Sequence, residues 1–287
     1  MKTILLLLTI SIGVLFPYGH EYTFLIRYFL MLMLFFSFLD VKVDKEIITK
    51  KHFVILFTIL ISSSLIFLLI KPFSIELAQT AFITAIAPTA IAAPVIISLK
   101  RKKVEFVAFS LLLNNFVVAS LIPFMLPFVV QNNTDISILD ILFPILITFS
   151  VPFAAAQILK IVFPKFWKKL VNWKDVSFYI LILNIYIATS DASNYIRSEF
   201  STNLEIVFLI AGSSALLCIF FFSLGWFIGG KEYRHEASQS LGQKNNAFTI
   251  WIALTFMNPI SVVGPVFYVF FQNLYISYEL HKHRHSQ

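Results

Sequence analysis

Charge is what this chain lacks most. Of its 287 residues only 13% are Asp, Glu, Lys or Arg, where a soluble domain carries about 25%. Cysteine occurs once, as Cys218 in the run LLCIFFFSL, so an intrachain disulfide is excluded. A buried, inert thiol is the expectation there. The sequence contains no G-x-x-x-x-G-K-[ST], no G-x-S-x-G and no H-E-x-x-H. ATP-driven transport and those hydrolase chemistries therefore lack their signatures, and no enzyme activity is expected. What is present is apolar: 59% of the residues are hydrophobic and 33 are Phe. The net charge of +7 is not a nucleic-acid footprint, because the basic residues fall in short clusters between apolar runs, as membrane topology requires.

Stretches long enough to span a bilayer lie at about 3–17, 22–39, 52–70, 74–99, 105–130, 137–162, 174–194, 203–229, 236–256 and 259–280. The start, MKTILLLLTISIGVLF, imitates a signal peptide, but the following FPYGHEY carries no small-x-small cleavage pattern, so a retained first span is expected. Ten spans put the N-terminus, the even-numbered loops and the C-terminus on one side. That side receives Lys2; Lys42, Lys45, Lys50 and Lys51; Lys100, Arg101, Lys102 and Lys103; Lys160, Lys165, Lys168, Lys169 and Lys174; Lys231 and Arg234; Lys282 and Arg284. The other side receives Arg27, Lys71 and Arg197. The bias makes both termini cytoplasmic in a multi-pass protein of the cell (inner) membrane. One basic residue is left over, Lys244, inside a span. A lysine at mid-bilayer costs about 2.5–3.5 kcal/mol on insertion scales and normally faces a cavity, a partner or a substrate.

The polar segment QNNTDIS (131–137) divides the chain into two five-helix units, 1–130 and 137–287. An odd number of spans per unit inserts the second upside down relative to the first, the inverted repeat of many secondary transporters. The fourth helix of each unit is irregular. The first carries AIAPTAIAAPVIIS (85–98), where Pro88 and Pro94 each remove a backbone donor. The second carries SLGQKNNAF (240–248), polar where lipid contact would forbid it. The fifth helices correspond too, as NNFVVASLIPF (114–124) and NPISVVGPVFY (258–268). Paired interrupted helices at matching positions point to a midplane binding site. The fold class expected is thus all-α, polytopic, with ten transmembrane helices as two inverted five-helix repeats whose broken fourth and ninth helices cross.

These residues also resemble a known family. APTAIAAPVIISLKRKKVEFVAFSLLLNN, followed much later by QSLGQKNNAFTIWIALTFMNPISVVGPVFYVFFQN, is similar to the bile acid:sodium symporter family, as is FFSFLDVKVDK (35–45). The resemblance covers about 35–285. It implies panel and core units, with the crossing helices beside two sodium ions and an organic-anion site. This chain departs from the pattern at the cation ligands. Where the family's first crossing helix supplies Ser and Asn, Ala93 and Pro94 stand here. The family's Glu four residues before a Gln is replaced, the pair being Gln239 and Gln243. Hydroxyl positions in the fifth helix fall near Val107 and Leu111. Weak or absent sodium dependence is therefore expected. A second resemblance, APTAIA…LLNN and KNNAFTIWIA…VVGP, is to the related arsenite efflux carriers. Those place a Cys where Thr89 stands, and a hydroxyl does not replace a soft thiolate for arsenic.

The substrate-binding residues implied are Thr89, Ala90, Ile91, Lys244, Asn245, Asn246 and Asn273. Asn114, Asn115, Gln239 and Gln243 mark the region of a degenerate cation site; no metal or other cofactor is called for. Lys244 falls where the family often has Asn. Its ammonium stands permanently in a cation's place, or exchanges a proton, or pairs with a substrate carboxylate, the last being favoured because half-helix N-termini serve the same anion. Against these stand ordinary readings. Lys244 can snorkel to an interface, the amides can be interhelical glue, and Thr89 can bond backbone. Asn258 is expected to cap the tenth helix before Pro259. Asp191 with Arg197 reads as a solvated loop pair, and the histidines of HKHRHS (281–286) as a basic tail. The function expected is secondary active transport of a small organic anion, with a non-transporting membrane sensor or structural homologue as the alternative.

Overall fold

The computed structural model describes residues 2–40, 48–130, 138–171, 173, 176–199 and 204–285. The internal boundary at 131–137, with Lys42, Asp44, Lys45 and Lys174, lies outside the described residues, as do the side chains of His283 and His285. The described residues fold into twelve α-helices: α1 (Lys2–Leu15), α2 (Leu25–Asp40), α3 (Lys50–Ile70), α4 (Ile75–Ala85), α5 (Ala93–Leu99), α6 (Val104–Val130), α7 (Ile138–Val162), α8 (Pro164–Val171), α9 (Val176–Glu199), α10 (Leu204–Gly242), α11 (Asn246–Phe256) and α12 (Val263–His285). Short 3-10 turns at Pro17–Tyr22 and Pro259–Val262 precede α2 and α12.

Among the described residues six helices are long and apolar enough to cross a membrane, and α1, α2 and α11 are shorter apolar helices. The outward faces are apolar. Phe57, Ile61, Leu65 and Leu68 stand exposed along α3, and Phe116 and Phe128 along α6. A water-facing surface would not carry such continuous stripes, so this is a membrane-embedded protein, all-α among the described residues.

Helix α10 is a hairpin rather than one rod. Gly230 has φ +62° and Tyr233 a non-helical conformation, and together they fold the later arm back on the earlier one. The arms approach so closely that a Cβ on Gly225 would lie 2.6 Å from the Ala237 carbonyl oxygen. Only glycine permits both the left-handed turn and this contact. Ser238 then donates to the Phe222 carbonyl at 2.8 Å, tying the arms together. The turn falls between the apolar stretches read as 203–229 and 236–256.

Two other elements differ from the sequence expectation. The amphipathic α8, PKFWKKLV, is a separate helix after α7. And α9 continues to Glu199, so Asp191 and Arg197 are helical rather than a loop pair; Arg197 donates to the Val14 carbonyl at the end of α1.

The helices pack in two groups. α9 lies along α1 and α2, and α7 and α8 lie on α2. α10 lies along α3, α4, α6 and α12, with α5 on α6. The groups meet where α11, α12 and the Pro259–Val262 turn face α1, α2 and α9, and where α6 meets α7. The basic loop 100–103 does more than mark a side. Lys100 pairs with Glu279, the Lys103 amide donates to Glu236 at 3.0 Å and the Lys103 ammonium to Glu232 at 3.1 Å, strapping the start of α6 to α10 and α12.

Candidate functional site

Two helix interruptions define the site. Between α4 and α5 the chain leaves helical geometry over 86–92, and between α10 and α11 over 243–245. Pro88 sits inside the first gap and has no amide to continue α4. Pro94 differs from expectation: it occupies the first turn of α5, where a proline's missing donor costs nothing, so it starts a helix instead of breaking one.

The gaps pair as an isolated antiparallel bridge between Thr89 and Lys244. The Ala90 amide donates to the Gln243 carbonyl at 2.8 Å and the Asn245 amide to the Pro88 carbonyl at 2.7 Å. Backbone groups freed by two interruptions thus satisfy each other, as backbone within a membrane-spanning segment must.

Side chains complete the junction. The Thr89 hydroxyl donates to the Ser240 carbonyl at 2.5 Å and accepts from Asn114 Nδ2 at 2.8 Å. Asn115 Nδ2 donates to the Thr89 and Leu111 carbonyls at 2.8 and 2.9 Å, while Asn115 Oδ1 accepts from Asn245 Nδ2 at 2.9 Å. One asparagine on α6 therefore holds both gaps. Asn245 also caps α11, its oxygen accepting from the Phe248 amide at 3.4 Å. Gln272 Oε1 accepts from the Lys244 amide at 3.0 Å, and the Tyr268 hydroxyl donates to the Gly242 carbonyl at 2.7 Å.

Lys244 is 1% exposed, so it does not snorkel. Its ammonium donates to the Ala85 carbonyl, the last residue of α4, at 2.8 Å, and lies 3.8 Å from the centroid of the Phe221 ring. A helix C-terminus carries partial negative charge and a ring face is likewise electronegative. The amine has found two weak electronegative partners in place of an acid.

The remaining expected residues are placed less uniformly. Asn246 Nδ2 donates to the Lys244 carbonyl at 3.2 Å. Asn273 turns to its own helix, donating to the Val269 carbonyl at 2.7 Å. Ala90 is buried, and Ile91 is half-buried beside an exposed Ala92. Asn258 caps the Pro259–Val262 turn, accepting from the Ile260 amide at 3.3 Å. Asn114 Oδ1, Gln243 Oε1, Asn246 Oδ1, Ser240 Oγ and both amide atoms of Gln239 are buried without a protein partner.

Those orphaned oxygens are neutral, and Glu236, three residues before Gln239 on α10, already accepts from the Lys103 amide. The junction therefore combines neutral side-chain oxygens with the basic nitrogen of Lys244. Among the described residues no group of three or more His, Cys, Asp or Glu could hold a metal.

Sequence reasoning missed Tyr268, Ala85 and Phe221. The phenol was legible as a donor needing a partner inside an apolar run. The Ala85 carbonyl and the Phe221 ring gave no signal, since neither is polar as a side chain. Compared with known proteins, the chain matches no family model and no curated sequence.

Proposed function

We propose that this protein is a secondary active transporter of a small organic anion, working by alternating access without strong sodium coupling. On this reading the chain is a ten-helix inverted repeat of the bile acid:sodium symporter type, with both termini cytoplasmic. α1, α2, α7 and α9 form the panel and the remaining spans the core. The observation that carries it is the Thr89–Lys244 bridge, which joins one interruption from each half of the chain. Unwound backbone deep in a membrane is tolerated where it is buried in protein or lines a cavity, and paired broken helices are the usual place for a transporter's site.

Of the three roles open to Lys244, permanent occupation of the cation's place is the best supported, because its Nζ is enclosed and bonded to α4. It fills the position that a coupling ion would enter and leave. Thr89 in the position of a thiol disfavours arsenite. A non-transporting sensor is the second reading, and the saturation of Thr89, Asn115 and Asn245 by protein partners is what favours it.

The test is uptake of labelled phenylacetate and other small carboxylates into proteoliposomes, in sodium and in choline buffer. Saturable flux of equal size in both is expected. Strong sodium stimulation removes the uncoupled mechanism. Ligand-dependent stabilisation with no flux for any carboxylate favours the sensor.

A further inference from the structure

Arg27 lies in the first turn of α2, and its guanidinium reaches across to α7. Nε donates to the Thr148 hydroxyl at 3.0 Å and an Nη to the Pro144 carbonyl at 3.2 Å. Thr148 is ten residues into α7, about 15 Å from that helix's start at 1.5 Å per residue. The guanidinium also lies 5.7 Å from the centroid of the Trp251 ring, on α11. Trp251 is five residues beyond Asn246, about 7.5 Å along α11 from the interruption. Arg27 thus spans the seam between the two helix groups, next to the crossing.

Its partners are all neutral. Among the described residues no carboxylate pairs with it. A guanidinium has five N–H donors in a fork that matches a carboxylate, and two of its contacts here are single bonds to a hydroxyl and a carbonyl. Arg27 is also only half-buried, so donors remain within reach of a solute. Lys244 offers the opposite: its ammonium is enclosed by the core and already bonded. Around Arg27 the seam is aromatic. Trp251 is buried, and Phe149 of α7 meets Phe248 of α11 edge to face at 5.4 Å.

We propose that Arg27 receives the anionic group of the solute, and that the solute is a monocarboxylate with a small apolar or aromatic body that enters the seam by parting the half-buried Phe149 from the buried Trp251 and Phe248. This rests on the transport reading and deepens it, moving charge recognition from Lys244 to the α2–α7–α11 seam. The solute's carboxylate takes the free donors of the guanidinium and supplies the acid that the protein does not.

The test uses the full chain in phosphatidylcholine nanodiscs, with Trp167, Trp173 and Trp226 replaced by Phe so that Trp251 is the only indole. Phenylacetate and benzoate are expected to change its emission saturably and to raise the melting temperature, with benzamide at least tenfold weaker. Arg27→Gln is expected to weaken phenylacetate at least tenfold while its ligand-free melting temperature stays within a few degrees. Arg27→Lys, which keeps charge and loses the fork, is expected to fall between, and it remains informative if Arg27→Gln fails to fold. Unchanged affinity in either variant overturns the proposal. So does an Arg27-dependent shift produced by phosphatidylglycerol nanodiscs with none from phenylacetate, which would make a lipid headgroup the anion. If Arg27→Gln transports phenylacetate with unaltered affinity, this inference falls and the transport reading stands. If the parent binds through Arg27 but moves no carboxylate, the transport reading falls and this one stands.

Discussion

Between α4 and α5 the chain runs through IAPTAIA with one polar side chain; between α10 and α11 it runs through Gln243, Lys244 and Asn245. The first interruption is made by a proline and offers carbonyls: those of Ala85, Pro88 and Thr89 all accept. The second carries polar side chains and donates to the first through Lys244 Nζ and the Asn245 amide, while its Gln243 carbonyl accepts from the Ala90 amide in return. A helix broken in lipid has to place its freed groups somewhere, and here each break is the other's solution. Neither would be stable facing hydrocarbon alone. The comparison also separates two cations. Lys244 is spent inside this exchange, whereas Arg27, at the seam, keeps donors to spare.

The pairing can be broken at its shared strut. Asn115→Leu removes the bonds to Thr89, Leu111 and Asn245 together and orphans buried groups on both breaks. A loss of about 2 kcal/mol is expected in reversible unfolding in detergent. An unchanged midpoint would mean that the breaks do not depend on α6. Thr89→Val keeps shape but deprives Asn114 Nδ2 of its acceptor and the Ser240 carbonyl of its donor. About 1 kcal/mol should be lost in the same measurement.

Lys244→Met sharpens the division between the cations. Stability should move by under about 1 kcal/mol, since Ala85 loses a donor while the cost of burying a charge is relieved. Flux of phenylacetate should fall with its apparent KM preserved. A raised KM instead would return the carboxylate to Lys244. Smallest of all is Asn273→Leu, whose amide is satisfied within α12; a change of less than about 0.5 kcal/mol is expected, and a larger one would place Asn273 in the junction after all.

The membrane class, the apolar stretches and the two irregular positions were legible in the amino-acid sequence alone, because hydrocarbon selects strongly on composition and Pro88 or a buried Lys244 cannot pass as ordinary span residues. The polarity of Asn114, Asn115 and Asn245 likewise marked where bonding must occur. Tertiary structure alone decided who bonds to whom: that Asn115 reaches both gaps, that Lys244 ends at the α4 carbonyls, that α10 doubles back at Gly230, and that Arg27 crosses to Trp251. Those outcomes depend on backbone carbonyls and ring faces. Every residue has a carbonyl and many have rings, so only their placement in space distinguishes the ones that matter.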